Sequence, residues 1–254
     1  MFQGKTMQLI SLDNLISTFF VMIAVILTLI IAVKSFRSYR GTKARLTLII
    51  AVSSLFVSLA MIFLTLEKAL LIETLPIFSP SLGLLFGTIA IVISGAAVLA
   101  FCIFAYEMAF PKRTKILAVL SAIPIIIYLF FWLNEATISP PPGPYEVIFV
   151  SKFGFGFEIT PILIYFVITP LFSVPIIILF YYAIKTRKES ALKSKRAGYL
   201  GLGGLFLAIA YIVEIIGVDP IPLPNIIIIV SCRSFFIFAG IFFYWALFKL
   251  KSKE

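Results

Sequence analysis

The chain has 254 residues, of which 62% are hydrophobic and 13% are charged, with 21 Lys and Arg, 11 Asp and Glu and no histidine. A soluble domain carries about 25% charged residues, so this composition indicates a polytopic membrane protein. The lack of histidine excludes imidazole metal ligands and histidine general bases. The long apolar stretches also contain no aspartate and no paired cysteines, so we expect no metal, no cofactor and no enzymatic activity.

Seven apolar segments are each long enough to cross a bilayer as a helix, and short polar loops separate them. They cover residues 15–33, 46–66, 82–106, 116–133, 159–184, 198–217 and 224–248. The sequence predicts an all-α membrane protein, with residues 1–254 forming one domain that is a bundle of seven transmembrane helices.

The basic residues indicate how the chain is oriented in the membrane. Seventeen of the 21 Lys and Arg residues follow segments one, three, five and seven, three lie on the opposite side, and Arg233 lies within a segment. Positive charge marks cytoplasmic loops, which predicts an outside N-terminus and a cytoplasmic C-terminus in the cell membrane. The net charge of +10 is thus explained without nucleic acid, and the expected partner is the lipid bilayer.

Small residues recur at helical spacing in the third and sixth segments. Gly83 and Gly87 begin one such face, and Gly201, Gly204 and Ala208 form another. Small side chains let helix backbones approach closely in a membrane, so these residues are predicted to form helix-packing surfaces.

The fifth segment contains prolines at positions where a helix does not tolerate them well. Pro170 and Pro175 each remove a backbone donor, which frees the carbonyls of Phe166 and Leu171 and predicts a kink. The hydroxyl of Thr169 is a candidate donor to those carbonyls.

Residues 134–158 form the longest loop. A run of prolines precedes EVIFVSKFGFGFE, whose partial alternation favours β structure. Two interpretations remain open, a short hairpin that acts as a lid or a loop whose phenylalanines rest on the lipid headgroups.

Glu214 and Arg233 are the ionisable residues placed deepest in apolar segments. A charge held at the bilayer centre costs about 2.5–3.5 kcal/mol on insertion scales, so each needs a stabilising partner or a function. The two side chains can form an ion pair that joins segments six and seven, or line an outward-facing pocket in which Arg233 binds an anionic or polar ligand. Glu67 is a rival partner for Arg233.

Three stretches carry a family resemblance: IPIIIYLFFWLNE, FGFGFEITPILIYF and SKRAGYLGLGGLFLAIAYIVE. With the overall layout, they resemble the seven-helix membrane sensor region at the N-terminus of some bacterial and archaeal histidine kinases. The resemblance implies a sensor, but only Lys249–Glu254 follow the last segment. We therefore expect no kinase domain, and an output through a separate membrane or cytoplasmic protein.

Three functional hypotheses follow. The first is a receptor-like or sensor-like protein that binds a small or lipid-like ligand in the outer half of the bundle. The second is a small-solute transporter with the kinked fifth helix as its moving element, and the third is a non-catalytic subunit of a membrane complex. A retinal photoreceptor is excluded, because no lysine lies inside a span.

Overall fold

The computed structural model of the chain describes residues 12–72, 75–141, 145–154, 156–216 and 225–250. For residues 12–17, 212–216, 225–229 and 232 it describes the backbone alone. The prolines predicted to turn the chain at 220, 222 and 224 lie outside the described residues.

The described chain is almost entirely helical. The α-helices are α1 (Leu12–Thr42), α2 (Arg45–Leu70), α3 (Pro80–Ala109), α4 (Thr114–Glu135), α5 (Ile159–Leu163), α6 (Thr169–Thr186), α7 (Ala191–Ile216) and α8 (Asn225–Tyr244). A π-helical turn at Ile164–Ile168 joins α5 to α6, and another at Trp245–Lys249 follows α8. The two strands are β1 (Ala136–Ile138) and β2 (Val147–Phe149).

Five helical stretches are long and apolar enough to cross a membrane, among the residues described. They are Thr18–Thr42, Arg45–Leu70, Pro80–Ala109, Thr114–Glu135 and Ile159–Thr186. These spans confirm the prediction of a helical, multi-pass membrane protein.

Contacts between helices close into a ring. Going round it, α1 packs on α2, α2 on α3, α3 on α6, α6 on α7, α7 on α8, and α8 returns to α1. Helix α4 packs outside this ring, against α3 and α5. Short connections between successive long helices favour antiparallel neighbours, and the ring is built from such neighbours together with the α3–α6 and α1–α8 contacts.

Hydrogen bonds of hydroxyl groups connect α1, α2 and α3 inside the ring. The Ser58 hydroxyl donates to Thr28 Oγ1 at 2.7 Å, and the Ser53 hydroxyl donates to the carbonyl of Ala97 at 3.2 Å. Both serines are buried. Hydrocarbon offers no partner for a polar group, so such groups must be satisfied within the protein.

The proline-rich span is interrupted by the first π-helical turn. Pro170 follows closely after the π-helical turn at Ile164–Ile168, inside one helical stretch that runs from Ile159 to Thr186. Thr169 Oγ1 donates to the carbonyl of Ile164 at 2.9 Å, rather than to that of Phe166 as the sequence suggested. Pro175 lies inside α6. The kink itself stays a prediction.

The long loop folds into a hairpin in which β1 pairs antiparallel with β2. The prediction placed any β structure wholly within EVIFVSKFGFGFE, yet one of the two strands is Ala136–Ile138, directly after α4. The later part of that stretch turns instead, since Gly154 and Gly156 both have a φ of +74°, a left-handed conformation that suits glycine. Trp132 lies buried, with its ring 5.1 Å from that of Phe149.

A buried carboxylate at the end of α4 accepts hydrogen bonds from the start of α5. Glu135 is 0% exposed, and its two oxygens accept hydrogen bonds from the backbone N–H groups of Ile159 (3.0 Å) and Thr160 (2.7 Å). The first N–H groups of a helix have no partner within the helix, and their partial positive charge favours an anion. Glu135 therefore fixes where the fifth span begins.

We predict that Glu135→Gln lowers the stability of the protein. The amide offers one acceptor oxygen in place of two, and leaving a buried N–H without an acceptor costs about 1–3 kcal/mol. The matched control is Glu158→Gln, because Glu158 is exposed and makes no side-chain capping hydrogen bond. Thermal unfolding in detergent should show a lower midpoint for Glu135→Gln alone, and equal midpoints for the two variants would contradict the capping role.

Candidate functional site

The ring of helices surrounds a partly open central cavity of about 430 Å³. The described residues that line it come from all six helices of the ring (α1, α2, α3, α6, α7 and α8) and, in Ile72 and Leu75, from the connection after α2. Cavities of roughly 300–1,000 Å³ lined mainly by apolar side chains are typical of small-molecule sites. This cavity, which we call the central cavity, is the candidate functional site.

One face of α2 forms the longest wall of the central cavity. The lining residues recur every three or four positions along it, as one face of a helix requires: Ile50, Ser53, Ser54, Val57, Ala60, Met61, Leu64, Thr65 and Lys68. From Ile50 to Lys68 the wall is about 27 Å long at 1.5 Å per residue. A cavity of this length reaches across most of the hydrocarbon core of a bilayer, which is about 30 Å thick.

Helices α1 and α8 close the side opposite α3. Ala24 of α1 and Ala239 of α8 are buried and line the cavity. At Gly240 the two helices approach so closely that an added Cβ would lie 3.2 Å from Leu27 Cβ. This contact completes the ring and separates the cavity from the surroundings on that side.

Two cationic side chains line one end of the cavity, which we call the Lys68 end. Lys68 comes from the end of α2 and is exposed, whereas Arg233 comes from α8 and is half-buried. Tyr211 of α7 lines the cavity as well. No Asp or Glu is among the described residues that line the cavity, so the charge contributed by those residues is positive.

The predicted anionic partners of Arg233 have different placements. Glu67 lies on the α3 side of α2, where a Cβ added to Gly87 would be 2.7 Å from its Cδ atom. It does not line the cavity, although its neighbour Lys68 does. Glu214 belongs to α7, but its side chain lies outside the described residues. Its pairing with Arg233 stays a prediction.

The opposite end of the cavity, the Ile50 end, is closed by buried apolar side chains. Ile31, Ile50 and Phe101 all line the cavity there and are 1%, 3% and 7% exposed. Beyond them, Arg45 Nη1 lies 3.6 Å from Glu107 Oε1 in an ion pair that joins α2 to α3. The cavity thus differs in chemistry between its two ends, with cations at one and hydrocarbon at the other.

Hydroxyl groups deeper in the cavity direct their protons to protein acceptors. Thr28 Oγ1 donates to the carbonyl of Ala24 at 2.9 Å, and Ser53 donates to Ala97 as described above. Thr65, nearer the Lys68 end, donates to the carbonyl of Met61 at 2.8 Å. These bonded hydroxyls therefore present mostly carbon to the cavity.

The small residues singled out in the sequence hold the walls together. A Cβ added to Gly83 would lie 2.8 Å from Leu71, so both Gly83 and Gly87 allow α3 to approach α2. On α7, a Cβ added to Gly201 would lie 3.1 Å from the ring of Phe180. A Cβ added to Gly204 would lie 3.1 Å from both Ile176 and Phe101. Ala208, one turn further along, is buried in the same cluster as Ile176.

A pair of rings separates the central cavity from a second, much smaller void. Phe172 and Tyr211 line both spaces, and their ring centroids are 4.6 Å apart. The small void also touches Ile168, the last residue of the first π-helical turn. The π-helical turn therefore lies behind this aromatic wall, outside the ligand-sized space.

Sequence reasoning identified Arg233 but not Lys68 or the cavity-lining face of α2. A lysine at the end of an apolar segment is ordinary at a membrane surface, so the sequence alone does not single out Lys68. A signal was present, because Ser54, Ala60, Thr65 and Lys68 place small, hydroxyl and cationic groups on neighbouring turns of one helix. The sequence does not show whether such a face packs against a neighbour or borders a space.

No protein-family model matches the chain, and no curated protein matches it.

We predict that two leucine substitutions at small buried positions differ in their effect on the unfolding midpoint. Ala60→Leu places the added methyl groups in the cavity and should leave the unfolding midpoint unchanged or raise it. Gly204→Leu forces a side chain against Phe101 and Ile176 and should cost about 1–3 kcal/mol through overpacking. Thermal unfolding in detergent compares them, and an Ala60→Leu protein as unstable as Gly204→Leu would contradict the cavity.

Proposed function

We propose that the protein is a receptor-like or sensor-like membrane protein that binds a small, lipid-like ligand in the central cavity. In this proposal α7 and α8 are the sixth and seventh spans, the N-terminus is outside and the C-terminus is cytoplasmic. The Lys68 end then faces outward, as the distribution of Lys and Arg between the loops indicates. The bound state is passed to a separate protein partner, and no chemical step is involved.

The observation that supports this proposal is the two-ended chemistry of the cavity. A mostly apolar space with a few polar groups at one end is what a ligand with a polar head and an apolar body requires. Lys68 and Arg233 occupy the end that the orientation places outward, and buried apolar side chains occupy the other.

Closure of the Ile50 end favours binding over transport. A transporter needs a path that opens alternately to both sides of the membrane. Here Ile31, Ile50 and Phe101 close the inward end, and the Arg45–Glu107 ion pair lies beyond them. The π-helical turn that precedes Pro170 does not line the central cavity, although Phe172 of the same span does.

We predict that the purified protein retains a small amphiphile in its cavity and that a cavity-filling variant does not. Native mass spectrometry should show one bound molecule on the wild type and none on Ala60→Phe. The matched control is Ile126→Phe on α4. Ile126 lies outside the ring and is 63% exposed, so this variant should bind the amphiphile as the wild type does.

Equal occupancy of all three proteins, or of none, would overturn the proposed function. Movement of the retained molecule across proteoliposomes, abolished by Ala60→Phe, would instead favour the transporter. Release of the amphiphile from Ala60→Phe without any such movement supports the receptor-like assignment.

We also predict the orientation of the loops. In a Cys102→Ala, Cys232→Ala background, the variant Lys152→Cys should react with a membrane-impermeant maleimide added to intact cells. A cysteine at Lys188 should react only after the cells are permeabilised, since both positions are exposed but lie on opposite sides. The reverse pattern would invert the proposed topology.

A further inference from the structure

We propose that the ligand is an anionic amphiphile whose carboxylate or phosphate headgroup lies between Lys68 and Arg233 and whose acyl chain runs along α2 toward Ile50. This inference rests on the proposed function and goes beyond it by assigning the charge, the shape and the direction of the ligand.

The charge of the headgroup follows from the residues that line the Lys68 end. Lys68 and Arg233 approach the same space from helices on two sides of the ring, α2 and α8. An anion between them accepts charge-assisted hydrogen bonds from an ammonium and a guanidinium, and these are about twice as strong as neutral ones. A cationic headgroup in the same place would be repelled by both.

Recognition at this end also has a geometric component. A guanidinium presents a planar fork that matches a carboxylate or phosphate, whereas an ammonium acts as a compact point charge. Lys68 is exposed and Arg233 is half-buried, so the lysine lies nearer the surface and the arginine nearer the apolar part of the cavity. The headgroup therefore enters past Lys68 and is held by Arg233.

The shape of the apolar part calls for a long chain. The α2 wall runs about 27 Å from Lys68 to Ile50 at 1.5 Å per residue. One leaflet of a bilayer is about half of the 30 Å hydrocarbon core, roughly 15 Å, so the cavity has room for an extended acyl chain and its headgroup. Its lining toward the Ile50 end is mostly carbon, from Val57, Ala97, Ala239 and Phe243 among others, with the hydroxyl-bearing Ser53 and Ser54 beside them.

The burial of such a chain supplies binding energy without any polar contact. Each buried CH₂ group contributes about 0.8 kcal/mol relative to water. A chain that partitions from the bilayer gains far less, because lipid tails are as apolar as the cavity. Selectivity for this ligand over the surrounding lipid must therefore come mainly from the headgroup contacts with Lys68 and Arg233.

The test uses three probes that share one chain and differ in headgroup charge: oleate, oleyl alcohol and oleylamine. Binding is measured by competition with a fluorescent fatty acid on the full-length protein in phosphatidylcholine nanodiscs. The wild type should bind oleate about tenfold more tightly than the alcohol, and the amine most weakly, as one to two charge-assisted bonds imply.

Variants assign the preference to the two cations. In Lys68→Gln/Arg233→Gln the oleate preference should fall to near unity while the affinity for oleyl alcohol stays unchanged, which reports an intact cavity. Lys68→Gln alone, at an exposed position, should reduce the preference severalfold, and Lys68→Arg should restore it. Ile126→Phe is the matched control and should behave as the wild type.

The outcomes separate this inference from the proposed function. Equal binding of oleate and oleyl alcohol by the wild type, with both weakened by Ala60→Phe, would overturn the headgroup assignment and leave the cavity site standing. Failure of Ala60→Phe to weaken any probe would overturn the proposed function itself. Adding phosphatidylglycerol to the nanodiscs distinguishes two sources of the same chemistry: displacement of oleate indicates a membrane phospholipid, and no displacement indicates a single-chain fatty acid.

Discussion

The contact of α1 with α8 is the interaction on which the site depends. The other helices of the ring meet through short connections or through α3 and α6, but α1 and α8 belong to distant parts of the chain. They meet where Gly240 allows a close approach to Leu27 and where Lys34 donates a hydrogen bond to Tyr244. Without that contact the face of α2 that carries Ala60 and Lys68 would border lipid. With it, the same face lines the central cavity.

Hydrocarbon imposes the second constraint, since it satisfies no hydrogen bond. The structure satisfies polar groups in three places with two kinds of side chain, hydroxyls and a carboxylate. Ser53, Thr28 and Ser58 form hydrogen bonds within the ring, Thr169 donates to the carbonyl of Ile164 at the π-helical turn, and Glu135 accepts hydrogen bonds from two N–H groups at the start of α5. Among the described residues that line the cavity, Lys68 and Arg233 are the charged ones, and they distinguish one end of the cavity from the other.

Much of the helical architecture could be predicted from the sequence, since hydropathy and loop length act locally. The basic flank after the first apolar segment was assigned to a loop, yet α1 continues through it to Thr42 because charged residues do not end a helix in water. The sequence did not reveal that Glu135 caps the start of α5, because its partners, Ile159 and Thr160, lie beyond a loop. Such pairing depends on tertiary structure, which a single sequence does not contain.

The candidate site shows the same limit. Arg233 could be singled out because a charge in an apolar span is expensive wherever it points. Lys68 could not, because a lysine at a helix end has an ordinary explanation at the membrane surface. Only the ring geometry places Lys68 and Arg233 on one cavity, and it places Glu67 against Gly87 on another face of α2.

We propose that an amphiphile occupies the space between the two cations and Ile50. An experimental structure of the protein in lipid nanodiscs would show this ligand. We expect continuous elongated density along α2, with its head beside Lys68 and Arg233 and its tail reaching toward Phe243. A collapsed ring in which α8 packs directly on α2, or a cavity without density in native lipid, would contradict it.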